Sequence, residues 1–298
     1  MRRWVVVAIV IAALAGVAGP ALAGTLIVDG LVETIEIPFV DDSRSRELVT
    51  TITYPTALEE PAPLVVLAHG NSGHPSNFVQ LMEAWAGAGY VVAAPAFPAG
   101  SEGNPGELRD QVEDMSFVID EVLKLNGDET SPIFERVDKQ HIGAAGLSLG
   151  GGTVYGLVFN ACCRDKRIDA VVLMSTLRIT LTGSKEKFPH LPAMMIAGDA
   201  DPISRVTVNT YPLLSTPKWM VMLRGGTHSD PFEDTPDPAD EVVRQITTAF
   251  WDRYLRSDKP AAQRIRDAVS EYCNAELEVA LGSGSSASEC SGEVSPGE

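Results

Sequence analysis

The chain holds only four cysteines in 298 residues, Cys162, Cys163, Cys273 and Cys290. That is too few for a disulfide scaffold, and their spacing builds no zinc site, so no metal and no cofactor is expected. Basic residues are scarce too: 23 Lys and Arg face 40 Asp and Glu, for a net charge of -17. Such a surface opposes nucleic acid and anionic membrane. After the first residues no apolar stretch approaches the length of a membrane span. No internal repeat appears, and no break in composition divides residues 31 to 257, which points to one domain.

The one long apolar run stands at the start. Met1-Arg2-Arg3 precedes an apolar stretch from Trp4 to Val17, a breaker at Gly19-Pro20, and Ala21-Leu22-Ala23. A basic segment, a short apolar segment and a small-x-small site read as a secretory signal peptide over residues 1–23, with the mature chain starting at Gly24. An uncleaved anchor is the alternative, but the run is short for a span and is closed by a proline. The expected location is secreted or periplasmic, where disulfides persist. Cys273 and Cys290 bracket a Gly/Ser-rich stretch, so residues 281–298 read as a flexible tail that a bridge would tether. Adjacent cysteines pair only with strain, so Cys162 and Cys163 are expected to be two buried thiols.

Residues 24–280 carry the pattern of a single α/β domain. Leu31 to Phe39 and Leu48 to Tyr54 alternate apolar and polar residues, as antiparallel edge strands do. Leu64 to Ala68 is solidly apolar, as a strand buried on both faces should be. Further strands are expected at Tyr90 to Ala94, His141 to Ala145, Ala170 to Met174, Ala193 to Ala197 and Trp219 to Leu223. Helical periodicity marks Asn77 to Ala88, Glu107 to Leu125, Thr153 to Asn160, Ile203 to Thr210 and Asp240 to Leu255. This alternation implies a mostly parallel central sheet with helices on both faces.

The chemistry centres on Gly146-Leu147-Ser148-Leu149-Gly150, set between the His141 strand and the Thr153 helix. Strand, Gly-x-Ser-x-Gly, helix is a nucleophile elbow, in which glycines let the chain turn sharply and expose the serine hydroxyl. A hydroxyl needs a base, and the base an orienting acid, each placed after a later strand at the same sheet edge. Gly198-Asp199-Ala200-Asp201 follows one strand, and Gly225-Gly226-Thr227-His228 follows the next. Ser148, Asp201 and His228 are therefore the candidate catalytic residues, in the chain order of an α/β-hydrolase. Asp199 competes with Asp201 for the acid and would otherwise cap or brace the turn. An oxyanion needs two N-H donors: Leu149, just after the nucleophile, and Asn71, in the turn after the Leu64 strand. The acidic segment from Asp230 to Glu241 reads as a solvated loop rather than a calcium site.

These residues resemble the α/β-hydrolase branch that holds cutinase-like polyester hydrolases, dienelactone-hydrolase relatives and platelet-activating-factor acetylhydrolases. The likeness runs from about residue 47 to 290 and includes Thr53-Tyr54-Pro55, Ser131-Pro132-Ile133-Phe134, Val137-Asp138, Gly150-Gly151-Gly152 and Gly225-Gly226-Thr227-His228-Ser229. Cys273 and Cys290 resemble the C-terminal disulfide of the polyesterases. Those enzymes carry aromatic residues where this chain has Asn71 and the Ser175 to Leu177 loop, and an aromatic or histidine where it has Leu147, so their ring clamp is not matched. The connection from Met174 to Ala193 leaves no room for a long lid. The resemblance implies an α/β-hydrolase fold and an exported serine esterase acting on a small or polymeric ester. Alternatives are an acyltransferase with the same triad, or a cutinase-like polyester hydrolase.

Overall fold

A computed structural model describes residues 32–98, 105–281 and 285–288. The expected signal peptide, residues 1–23, lies outside them. The elements run β1 (Val32–Asp41), β2 (Arg46–Pro55), β3 (Ala62–Ala68), α1 (Val79–Gly87), β4 (Val91–Pro95), α2 (Pro105–Leu125), β5 (Val137–Leu147) and α3 (Leu149–Phe159). Next come β6 (Ile168–Met174), β7 (Ala193–Gly198), α4 (Ser204–Thr210), β8 (Lys218–Leu223), α5 (Asp240–Leu255), α6 (Ala261–Tyr272), β9 (Ala275–Ala280) and β10 (Ser285–Ser288).

One sheet holds all ten strands, in the order β1-β2-β4-β3-β5-β6-β7-β8-β9-β10. The strands from β4 through β8 in that order are parallel, and the two ends of the sheet are closed by antiparallel pairs. From β3 the chain moves outward to β4, then returns to the other side of β3 as β5. That reversal opens a crevice at the carboxyl ends of β3 and β5, where α/β sheets bind ligands. Register brings the two ends level: Ala68 pairs with Gly146, and Leu147 with Met174.

The helices cover both faces of the sheet: α1, α2 and α5 each present one apolar stripe, while α3 is buried all round. On α2, Val112, Met115, Val118, Ile119 and Val122 pack with α3 against one face of the sheet, at the spacing of a single helical stripe. On α1, Leu81, Met82 and Trp85 join Val242, Ile246 and Phe250 of α5 on the other face. Successive residues of β3 divide between the layers, Leu64 and Val66 to one and Val65 and Leu67 to the other, as a doubly covered strand requires. Trp85 Nε1 donates to Thr247 Oγ1 at 2.9 Å, which ties α1 to α5 through the core.

Three readings change. Cys162 and Cys163 are not buried thiols but a disulfide; they stand in the turn beyond α3, where Cys162 is exposed and Cys163 is half-buried against the core. Cys273 is also disulfide-bonded, and Cys290, its expected partner, lies outside the described residues. Within the expected flexible tail, Ser285–Ser288 is a strand, because β9 beside it offers an unpaired edge. Helix α3 starts at Leu149, directly after the serine, rather than at Thr153.

The β1–β2 hairpin is anchored through Asp114 of α2, which is fully buried. Its carboxylate accepts from Arg44 Nη1 at 2.7 Å and Arg46 Nε at 2.8 Å. Removing Asp114 leaves Arg44 with Asp41 alone and Arg46 with only the more distant Asp110, so two half-buried guanidinium groups lose their shared buried partner. Asp114→Ala is therefore expected to cost about 3 kcal/mol of unfolding free energy, read as a lower urea midpoint with unchanged slope.

Candidate active site

At the end of β5 the chain turns into α3 with almost no loop. Ser148 takes φ 56° and ψ -116°, a left-handed conformation that costs a side-chain-bearing residue about 1–3 kcal/mol and persists only where its surroundings enforce it. They do. Ser148 N–H donates to the Met174 carbonyl at 2.9 Å, and its own carbonyl accepts from Gly152 at 3.0 Å. A Cβ on Gly146 would lie 2.4 Å from the Gly150 oxygen, and one on Gly150 would lie 2.2 Å from the Ala68 oxygen. Only glycine fits either place, and the serine between them is pushed to the sheet edge. The first helical bond of α3 is that from Gly152 to Ser148, so the Leu149 N–H ahead of it has no acceptor within the helix.

The structure brings Ser148, His228 and Asp201 together. His228 Nε2 lies 2.8 Å from Ser148 Oγ, and Nδ1 lies 3.0 Å from Asp201 Oδ1. The second contact has the distance of an ion pair but not the alignment of a hydrogen bond, since neither Nδ1 nor Asp201 Oδ2 has a well-directed partner. Loose contacts of this kind tighten when substrate binds. The Asp201 side chain is fully buried and the imidazole one-third exposed, so the carboxylate is dry while the His228 ring meets solvent. Asp201 Oδ1 also accepts from Ile203 N–H at 2.9 Å, which fixes the carboxylate in its turn.

Asp199 has the bracing position. Its Oδ1 accepts from Gly225 N–H at 2.6 Å, and its own N–H donates to the Leu223 carbonyl at 3.0 Å. It ties the loop of Asp201 to the loop of His228. The two turns are in such close contact that a Cβ on Gly198 would lie 1.9 Å from the Gly226 oxygen.

The turn after β3 forms the other wall. Gly70 passes beside Ser148, since a Cβ there would meet Ser148 Cβ at 3.4 Å, and Asn71 follows it as an exposed turn residue. His74 accepts from Ser76 N–H and caps the short 3-10 turn before α1. His69, which the sequence did not single out, is buried. Its Nδ1 lies 2.8 Å from the Gly70 carbonyl, and its Nε2 accepts from Phe97 N–H at 3.0 Å.

Beyond His228 the acidic segment folds back onto α1. Asp234 N–H donates to the Asn77 carbonyl at 2.7 Å, and its carboxylate accepts from Gln80 N–H at 3.1 Å, at the helix start where negative charge is favoured. Burial raises the Glu233 carboxyl above its ordinary value, while a hydrogen bond with Asn77 and the neighbouring His228 oppose this. Burial likewise raises Asp234.

A carboxyl raised on folding binds its proton more tightly in the native state. The stability this brings is full below the unfolded value near pH 4.3 and is lost as pH rises through the folded one. Glu233→Gln removes the charge that burial penalises. Its urea midpoint is expected to exceed that of the wild type at pH 7, with the gap closing towards pH 4. A gap constant with pH would show that the side chain acts by packing instead.

No curated protein matches the sequence. A family model described as PET hydrolase-like matches residues 42–276, from just after β1 to the start of β9, and so takes in strands β2 to β8, the elbow and both loops after β7 and β8. The chain therefore belongs to the PET hydrolase-like family, a group of ester hydrolases built on the α/β-hydrolase fold.

Proposed function

We propose that the protein is an exported serine hydrolase of carboxylic esters that works through an acyl-enzyme. The observation that carries this is the line from Ser148 Oγ to His228 Nε2, 2.8 Å long, backed at 3.0 Å by the buried carboxylate of Asp201. His228 takes the Ser148 proton through Nε2 as Oγ attacks the ester carbonyl, then returns it to the leaving alkoxide. Water attacks the acyl-enzyme by the same route in reverse. Asp201 holds the imidazole with Nδ1–H inward and offsets its charge when it becomes imidazolium. The N–H groups of Leu149 and Asn71 receive the oxyanion. Export follows the residue 1–23 pattern.

The substrate is a small ester or a polymer chain. Family membership favours polyesters, while Asn71, Leu147 and Leu177 supply no aromatic surface. Aliphatic esters therefore fit the side chains on hand better than stacked aromatic ones.

Hydrolysis of p-nitrophenyl esters from acetate to long acyl chains, by wild type beside variants, tests this reading. Ser148→Ala is expected to lower kcat by at least about 10⁴-fold. Asp201→Asn is expected to cost far more than Asp199→Asn, whose loss is felt in loop stability. Equal activity of Ser148→Ala and wild type would end the proposal.

A further inference from the structure

We propose that His69 is a positioning residue, which aims the Asn71 N–H at the developing oxyanion by holding the Gly70 carbonyl. The inference rests on the reading of Asn71 as an oxyanion donor. A peptide unit is planar and trans, so the carbonyl of one residue and the N–H of the next point in opposite directions. The Gly70 carbonyl and the Asn71 N–H belong to the same peptide. Whatever grips the first therefore aims the second.

Two donors grip it. His69 Nδ1 lies 2.8 Å from the Gly70 oxygen, and Gly73 N–H donates to the same oxygen at 3.0 Å. The imidazole is itself held. Its Nε2 accepts from Phe97 N–H at 3.0 Å, and its ring packs on Phe97 with centroids 4.9 Å apart. A backbone N–H pointing at Nε2 allows no hydrogen there, so the proton is on Nδ1 and faces the Gly70 carbonyl. Burial, which lowers the basicity of His69, keeps the ring in this neutral form. Protonation would set two donors against each other at Phe97.

Histidine meets the geometry because it donates from one nitrogen and accepts at the other. A non-polar residue would leave the Phe97 N–H without an acceptor and the peptide held by Gly73 alone. Asparagine places an amide N–H where Nδ1 stands, so it preserves the grip on Gly70. Glutamine reaches instead towards the place of Nε2.

The test compares wild type, His69→Ala, His69→Asn and His69→Gln, with active molecules counted by titration with a fluorophosphonate. Expected for His69→Ala is a fall in kcat per active site of about 100-fold, with KM changed by less than about threefold. Inhibition by a trifluoromethyl ketone, whose hemiketal adduct with Ser148 carries the oxyanion, should weaken by a similar factor. His69→Asn is expected to recover to within about tenfold of wild type, and His69→Gln to stay near the alanine variant. A ring that merely filled space would give the reverse order, since glutamine is the larger residue.

Wild-type kcat and ketone affinity in His69→Ala, or rescue by glutamine rather than asparagine, would overturn the proposal. Should the alanine variant not fold, the asparagine and glutamine comparison decides alone. A wild type inactive on every ester would bring down the esterase reading and this inference together, whereas an active wild type with an indifferent His69 would remove only the second.

Discussion

The first turn of α3 touches the end of β3 so closely that Gly150 has no room for a methyl group, with the Ala68 oxygen 2.2 Å from where one would be. Much of the site depends on this contact. It brings the helix start, whose first amides have no acceptor within the helix, beside the turn that carries Gly70 and Asn71. It also compresses the link from β5 to α3 until Ser148 must adopt a positive φ. Strain of that kind persists when the surroundings overdetermine it, and here the parallel pairing of β5 with both β3 and β6 does so. The cost of the strained serine is offset by the sheet core beneath it.

The same logic repeats at the neighbouring loops. Asp201 and His228 are presented by different turns, and each turn alone would be mobile. Asp199 joins them through the Gly225 N–H, Gly198 packs directly on Gly226, and Asp234 fastens the chain beyond His228 to α1. The imidazole is thus held from both flanking sides of its loop while one-third of it stays open to solvent. Rigid support beneath a partly exposed imidazole is what a preorganised site needs, since each contact is in place before substrate arrives.

Much of this was legible in the sequence. Strands with solid apolar runs, such as Leu64 to Ala68, announce themselves because burial on both faces leaves no polar positions. Helix α5 matches its expected bounds, Asp240 to Leu255, since the stripe of Val242, Val243, Ile246 and Phe250 starts and stops sharply. The elbow, the order Ser148-Asp201-His228 and the competing role of Asp199 were readable from spacing. Helix α6 and β9 were not read, though Ile265, Ala268 and Val269 are at helical spacing and Leu277 and Val279 alternate. The disulfide of Cys162 with Cys163 depends on a turn whose path the local sequence does not dictate. His69 was invisible for a different reason: its partner Phe97 is 28 residues away, and the two meet only once β3 and β4 lie side by side.

The central claim is that Ser148 carries the acyl group during turnover. Rapid acid quenching of the enzyme during hydrolysis of a p-nitrophenyl ester, followed by peptide mass spectrometry, tests it directly. The account predicts the mass of one acyl group on the peptide containing Ser148, appearing with the burst of nitrophenol and decaying at the turnover rate. Product release with no acylated peptide, or an acyl group on another residue that turns over at the same rate, would contradict it.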